Sequence, residues 1–213
     1  MIKVHHLDNS RSQRILWLLE ELQLDYEIIR YQRDQKTRLA PPELTQIHAL
    51  GKSPVIEDDY LKLHESGAIT DYLIQAYGDG RMAPKQNTDQ HARYIEWLHY
   101  SEGSAMLPLL LHLYTSRLGE AANALEPRIS GETDNHFSFM NNHMKGRDYF
   151  IGDGLTGADI MMSFPIEIGM ARGFLGQYDA LLAYLERIQL RPAYQKALQK
   201  GGDYSMAFFR PGD

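Results

Sequence analysis

Two hydroxyls, Ser10 and Ser12, sit in the corner DNSRSQR, just before the apolar helical run ILWLLEEL. Either can accept a hydrogen bond from a free N–H of the first helical turn, which is the ordinary task of a cap. Either can also donate to an anion such as a bound thiolate. A free thiol titrates near pH ~8.5, and lowering that by two units takes ~2.7 kcal/mol. One hydrogen bond to a charged group supplies ~1.5–3 kcal/mol, and a helix N-terminus adds to it. The magnitudes fit, and this stretch by itself leaves cap and catalyst both open.

Two further groups carry chemistry. Glu65-Ser66 follows an expected strand and opens a helix. Free N–H groups at a helix start, with a Ser hydroxyl beside them, suit a carboxylate. Glu65 suits an ammonium, so the pair matches the two ends of an α-amino acid. A plain cap with a first-turn acid explains the same residues. Lys52-Ser53-Pro54 precedes another strand. A proline there, with a cis bond, turns the backbone of Ser53 toward a peptide ligand at a sheet edge. Lys52 offers a point charge to a carboxylate. A turn proline and a solvated lysine are the bland alternative.

Thr156 and Asp159 in GLTGADIMM form a capping-box variant, with Leu155 and Ile160 placed as its hydrophobic staple; this is a structural signal. His5 and His6 alternate across a strand and cannot chelate one metal together. No other histidine spacing suggests a metal site, so none is expected. Tyr94, Trp97, His99, Tyr100, Met106, Leu110 and Tyr114 share one long helical run. Most of such a stripe is core or subunit interface. Tyr100 and Tyr114 are taken as candidates to line an apolar substrate pocket.

The elements that must position these groups fall into two parts. Residues 2–4 suit a strand, 12–22 a helix, and 26–30 a second strand. Pro41-Pro42-Glu43 opens a short helix. Val55-Ile56 and residues 61–63 form a hairpin around Asp58-Asp59, and 65–76 returns to helical spacing. This β-α-β, β-β-α order makes a small mixed sheet with helices on its faces. Residues 78–89 are rich in Gly, Pro and polar residues and read as a linker. Helices follow over 90–118, bent near residues 101–104 or at Pro108, then over 125–145, 158–171, 180–189 and 192–200. The expected division is 1–79, a linker at 80–87, and a helical domain at 88–213.

Composition narrows the function classes. The 213 residues are 43% hydrophobic and 23% charged, ordinary for a globular protein, with a net charge of -6 and no basic cluster in sequence. Nucleic-acid binding is not expected. No run reaches the ~18 apolar residues of a membrane span, and no signal-peptide pattern opens the chain, so a cytoplasmic protein is expected. There is no cysteine. Any thiol chemistry must use the thiol of a ligand.

Taken together, NSRSQRILWLLEEL, GKSPVIEDDYLKLHESGAITDYL and GLTGADIMM resemble the soluble glutathione S-transferases, in order and spacing, over nearly the whole chain. The wording further resembles a bacterial and fungal Ser-type subgroup. The resemblance implies a thioredoxin-like α/β domain followed by an all-α domain, usually as a homodimer. It implies that Ser10 holds the glutathione thiolate and that Pro54 is the family's cis-proline. It places Ser53 against the cysteinyl unit through its backbone, Glu65 and Ser66 at the γ-glutamyl end, and Lys52 at the glycyl carboxylate. Glu102, with Glu96 as fallback, is the candidate acid reaching the γ-glutamyl ammonium of the partner subunit. Ser12 is left with the capping role, at about 1 kcal/mol. The implied activity is attack of glutathione, as cosubstrate and with no other cofactor, on a small hydrophobic electrophile or a peroxide. A non-catalytic ligand- or protein-binding module on the same fold is the alternative.

Overall fold

The computed structural model describes residues 1–206; the expected end of the helical domain at 213 lies outside them. The chain runs β1 (Ile2–Leu7), α1 (Ser12–Leu22), β2 (Tyr26–Tyr31), α2 (Leu44–Ile47), β3 (Val55–Asp58), β4 (Leu61–His64) and α3 (Ser66–Tyr77). The sheet order is β2-β1-β3-β4. β1 and β2 are parallel, as a βαβ crossover requires, and β3 and β4 pair antiparallel. This is the thioredoxin-like arrangement. The hairpin turn falls one residue later than expected, at Asp59-Tyr60, with Asp59 taking φ 48°. β1 also extends to Leu7 and takes in both histidines.

The remainder is helical: α4 (Asp89–Tyr100), α5 (Met106–Thr115), α6 (Glu126–Met144), α7 (Gly157–Ala171), α8 (Asp179–Gln189) and α9 (Pro192–Gly201). A π-helical turn, Ser101–Ala105, separates α4 from α5, and a 3-10 turn, Gly119–Ala122, follows α5. The bend in the long run is therefore the π-turn around Gly103, and Pro108 lies inside α5.

Helix α1 packs on β1 and α3 and against α7 and α9. It is therefore buried on nearly every side, and Glu21 is the exception. Helix α7 is the hub of the second part and is buried from Gly157 to Gly169. Its start passes so close to α3 and α4 that a Cβ on Gly157 would come within 2.7 Å of Ile74 and Tyr94. The capping box forms as expected. The Asp159 carboxylate accepts from Thr156 N–H (2.8 Å) and Thr156 Oγ1 (3.0 Å), and its other oxygen accepts from Phe150 N–H (2.9 Å). Burial lifts the Asp159 carboxyl to about 6, against the pull of those three bonds.

Candidate active site

The corner after β1 holds both serines in one hydrogen-bonded chain. His6 Nε2 donates to the Gly201 carbonyl at the end of α9 (2.9 Å). Burial, partly offset by that bond, lowers His6 to about 4, so the ring is neutral at pH 7. With its proton on Nε2, Nδ1 must accept, and Ser12 Oγ donates to it at 2.8 Å. Ser12 has one proton, so at the 2.8 Å contact between the serines Ser10 Oγ is the donor. Ser12 Oγ also takes Leu7 N–H at 3.2 Å. The order of donation is Ser10 to Ser12 to His6 to Gly201.

This corrects the capping role expected for Ser12. The residue at the cap position of α1 is Arg11, with no side-chain cap bond. Ser12 is fully buried and ties the last strand residue to His6. Ser10 does the nearer thing to capping, accepting Ser12 N–H at 3.2 Å. Ser10, and not Ser12, lines a cavity of about 220 Å³, opposite Tyr114 and Phe164. The loop that carries Ser10 is clamped from two sides. Arg33 donates to the carbonyls of Asp8 (3.0 Å) and Asn9 (3.2 Å). Asn9, at φ 52°, donates to Asp203 (2.8 Å) and accepts from Met206 N–H (2.9 Å).

A second cavity of about 200 Å³ adjoins the first, sharing Arg11, Lys52 and Ser53 with it. Lys52, Ser53, Pro54, Glu65 and Ser66 all line it. The Ser53–Pro54 bond is cis. The Ser53 hydroxyl donates to His5 O (2.8 Å) and accepts from Leu7 N–H (3.2 Å), so the side chain stitches the corner to β1. Its backbone stands outside the strand ladder, which begins at the His5–Val55 pair. Ser66 opens α3, is buried, and its hydroxyl has no partner among the described residues. Glu65 precedes it at φ 68° without capping the helix. A non-glycine residue held there costs ~1–3 kcal/mol, and such strain gathers at binding sites. Three residues went unassigned at the sequence level. The rings of His48 and His64 lie 3.9 Å apart, tilted by 31°, on the groove wall, and Arg11 faces both cavities. Their spacing in sequence carries no signal, because α2, β4 and the corner meet only in the fold.

Two expectations change. Glu102 lies on the wall of its own chain's groove. One carboxylate oxygen meets Arg11 Nε (2.8 Å) and the other meets Arg14. Burial works to raise this carboxyl, but Arg14 and Arg11 outweigh it and hold it below the usual range. Both oxygens are thus engaged within the chain, so an ammonium reaching Glu102 would share the carboxylate with two arginines. The fallback, Glu96, is exposed and paired with Arg93 (2.7 Å). Tyr100 is not at the cavity either. Its hydroxyl bonds His136 Nδ1 (2.7 Å), and its ring packs on Trp97 and Phe139. Fourteen residues of α-helix would bring positions 100 and 114 within ~40° of one face. The π-turn between them adds a residue and rotates the later face by roughly a further 100°. Tyr114 alone reaches the cavity with Ser10.

Comparison with known proteins agrees with this geometry. The family model described as "Glutathione S-transferase, N-terminal domain" matches residues 1–75, and the corresponding C-terminal domain model matches 105–192. Glutathione S-transferase 3 of Schizosaccharomyces pombe is 34% identical, with 98% of this chain and 91% of that protein covered. Glutathione S-transferase 1 of Saccharomyces cerevisiae is also 34% identical, covering 94% and 95%. A crystal structure of a glutathione S-transferase from Actinobacillus pleuropneumoniae superposes with a TM-score of 0.88 at 35% identity, over 99% of this chain and 100% of that one. With both domains matched and full-length relatives above 30% identity, the chain belongs to the glutathione S-transferase family.

Proposed function

We propose that this protein is a glutathione transferase in which the Ser10 hydroxyl turns its one proton from Ser12 to the ligand and receives the glutathione sulfur. One observation carries the reading. A single groove holds an uncapped helix start with a free Ser hydroxyl (Ser66), a backbone edge outside the ladder (Ser53), and a lysine (Lys52), and it shares a wall with Ser10. A tripeptide spans ~10 Å when extended. In this assignment the α-carboxylate sits on the α3 N-terminus at Ser66 and the ammonium on Glu65. The cysteinyl backbone pairs with Ser53, the glycyl carboxylate meets Lys52, and the sulfur lies at Ser10. The thiolate then attacks an electrophile or peroxide held against Tyr114. Glutathione is cosubstrate, and no resident cofactor is invoked.

Rapid mixing with glutathione at neutral pH tests this through the ultraviolet absorbance of bound thiolate. The expected result is a thiolate signal in the wild type that is lost in Ser10→Ala. Tight binding without thiolate would favour a non-catalytic binding module instead.

We place the working form as a homodimer in the cytoplasm, where the glutathione pool is kept reduced. A furrow between α3 and α4, lined by Asp71, Ile95, Leu98 and His99, supports a second copy on that side. So does Tyr60, fully exposed at the hairpin tip. Light scattering on the eluting protein should give twice the chain mass, and Tyr60→Ser should shift the equilibrium toward monomer.

A further inference from the structure

The cavity that Ser10 and Tyr114 share is cationic. Arg11, Arg33, Arg38, Lys52 and Arg117 all line it, and no Asp or Glu among the described residues does. This stands out in a chain whose net charge is -6. The five come from four places: the corner, the connection after β2, the turn before β3, and the end of α5. The acids seen to act on three of these cations, Arg11, Arg33 and Arg38, lie outside the lining. Glu102 holds Arg11, while Asp8 and Asp203 act on Arg33 and Arg38. Arg33 donates to the backbone carbonyls of Asp8, Asn9 and Arg38. Burial first, and then the neighbouring charges of Arg38 and Arg11, push the Arg33 guanidinium below its ordinary value. The remaining wall is apolar, built by Leu110, Leu113, Phe164 and the exposed ring of Tyr114.

A neutral hydrophobic acceptor would use only half of this surface. We propose that the acceptor substrate is an acid: an electrophile with an apolar body on Tyr114 and Phe164 and a carboxylate held by Arg38 and Arg117. Lys52, which both cavities share, stays with glutathione. The inference rests on glutathione being the cosubstrate and names the class of its reaction partner. With an aryl chloride as acceptor, the thiolate pair forms the C–S bond. The C–Cl pair leaves as chloride, and the thiol proton goes to solvent.

The test uses the full chain, a chlorodinitrobenzoate with its methyl ester, and the unreactive dinitrobenzoate with its ester as binding probes. Calorimetry with glutathione present should show the acid binding about tenfold more tightly than the ester, one charge contact's worth. The ratio of kcat/KM for the two chlorides, each divided by its uncatalysed rate, should lean the same way. Added salt and the double variant Arg38→Gln/Arg117→Gln should each erase most of the preference, acting through KM. An ester that binds as tightly as its acid overturns the proposal. So does a double variant that weakens glutathione and leaves the acid untouched, since the cations then serve glutathione. If the ester and acid are consumed equally, the transferase stands and the acid preference falls. If no thiolate forms, the transferase reading falls and takes the acceptor with it.

Discussion

Ser10 and Ser12 stand two positions apart, share one short hydrogen bond, and differ in what each can face. Ser12 meets His6 Nδ1 and the N–H and carbonyl of Leu7 besides Ser10, and has no exposure. Ser12→Ala strips the donor from His6 and one of the two acceptors from Leu7 N–H, which keeps Ser53 Oγ, so it should cost about 2 kcal/mol rather than a cap's 1 kcal/mol. Urea unfolding measures this. Ser10→Ala should cost less there, about 1 kcal/mol for the lost acceptor of Ser12 N–H, and lose the thiolate. His6 gives a second check. Its folded value near 4 lies below the ~6.5 of an unfolded chain. The neutral ring's contribution is therefore present above pH ~6.5 and is lost as pH falls toward 4, on the order of 3 kcal/mol. Stability should drop over that window more steeply in the wild type than in His6→Gln. That Lys52, Ser53, Pro54, Glu65 and Ser66 are candidates for one groove was legible because each stands beside a turn or helix start that sequence marks. His6 was not: its partners lie 6 and 195 positions away.

At the scale of elements, two devices set the helical part. The Asp159 box fixes where α7 begins and holds the Phe150 backbone with it. Asp159→Ala removes three buried bonds at once. The unfolding free energy should fall by about 3 kcal/mol, with Asp159→Asn recovering part of it. This box was readable from TGAD because capping is local. The π-turn was not. Small residues at 101–105 announced a bend, but the extra residue that turns α5 away from the face of α4 depends on what the turn packs against. Arg14 enters that turn to reach Ser101 and Glu102. For the same reason a stripe drawn through Tyr100 and Tyr114 described no real surface.

The whole molecule is held at a single charged knot as well as by its core. Arg14 on α1 is fully enclosed, donates to the Met161 carbonyl of α7 (2.7 Å), and meets Glu102 of the π-turn. Glu102→Gln would leave that guanidinium buried without its counter-charge. A loss of about 3–5 kcal/mol is expected, read as a lower urea midpoint. The two-part fold was legible from the change of periodicity near residue 78. What lay beyond reach was how residues 11, 33, 38, 52 and 117 come to face one cavity, because four separate segments must converge to build it.

The bonds from Gly201, Asp203 and Met206 back to His6 and Asn9 bear on synthesis in time. The corner that carries Ser10 is synthesised well before its fasteners, which lie 194 to 197 positions downstream. At ~5–20 residues per second, about 10–40 s pass before they are made. A nascent chain in that interval can complete its sheet but not fasten the corner that carries Ser10. The fastened corner therefore arrives late, with the end of α9 and the residues that follow it.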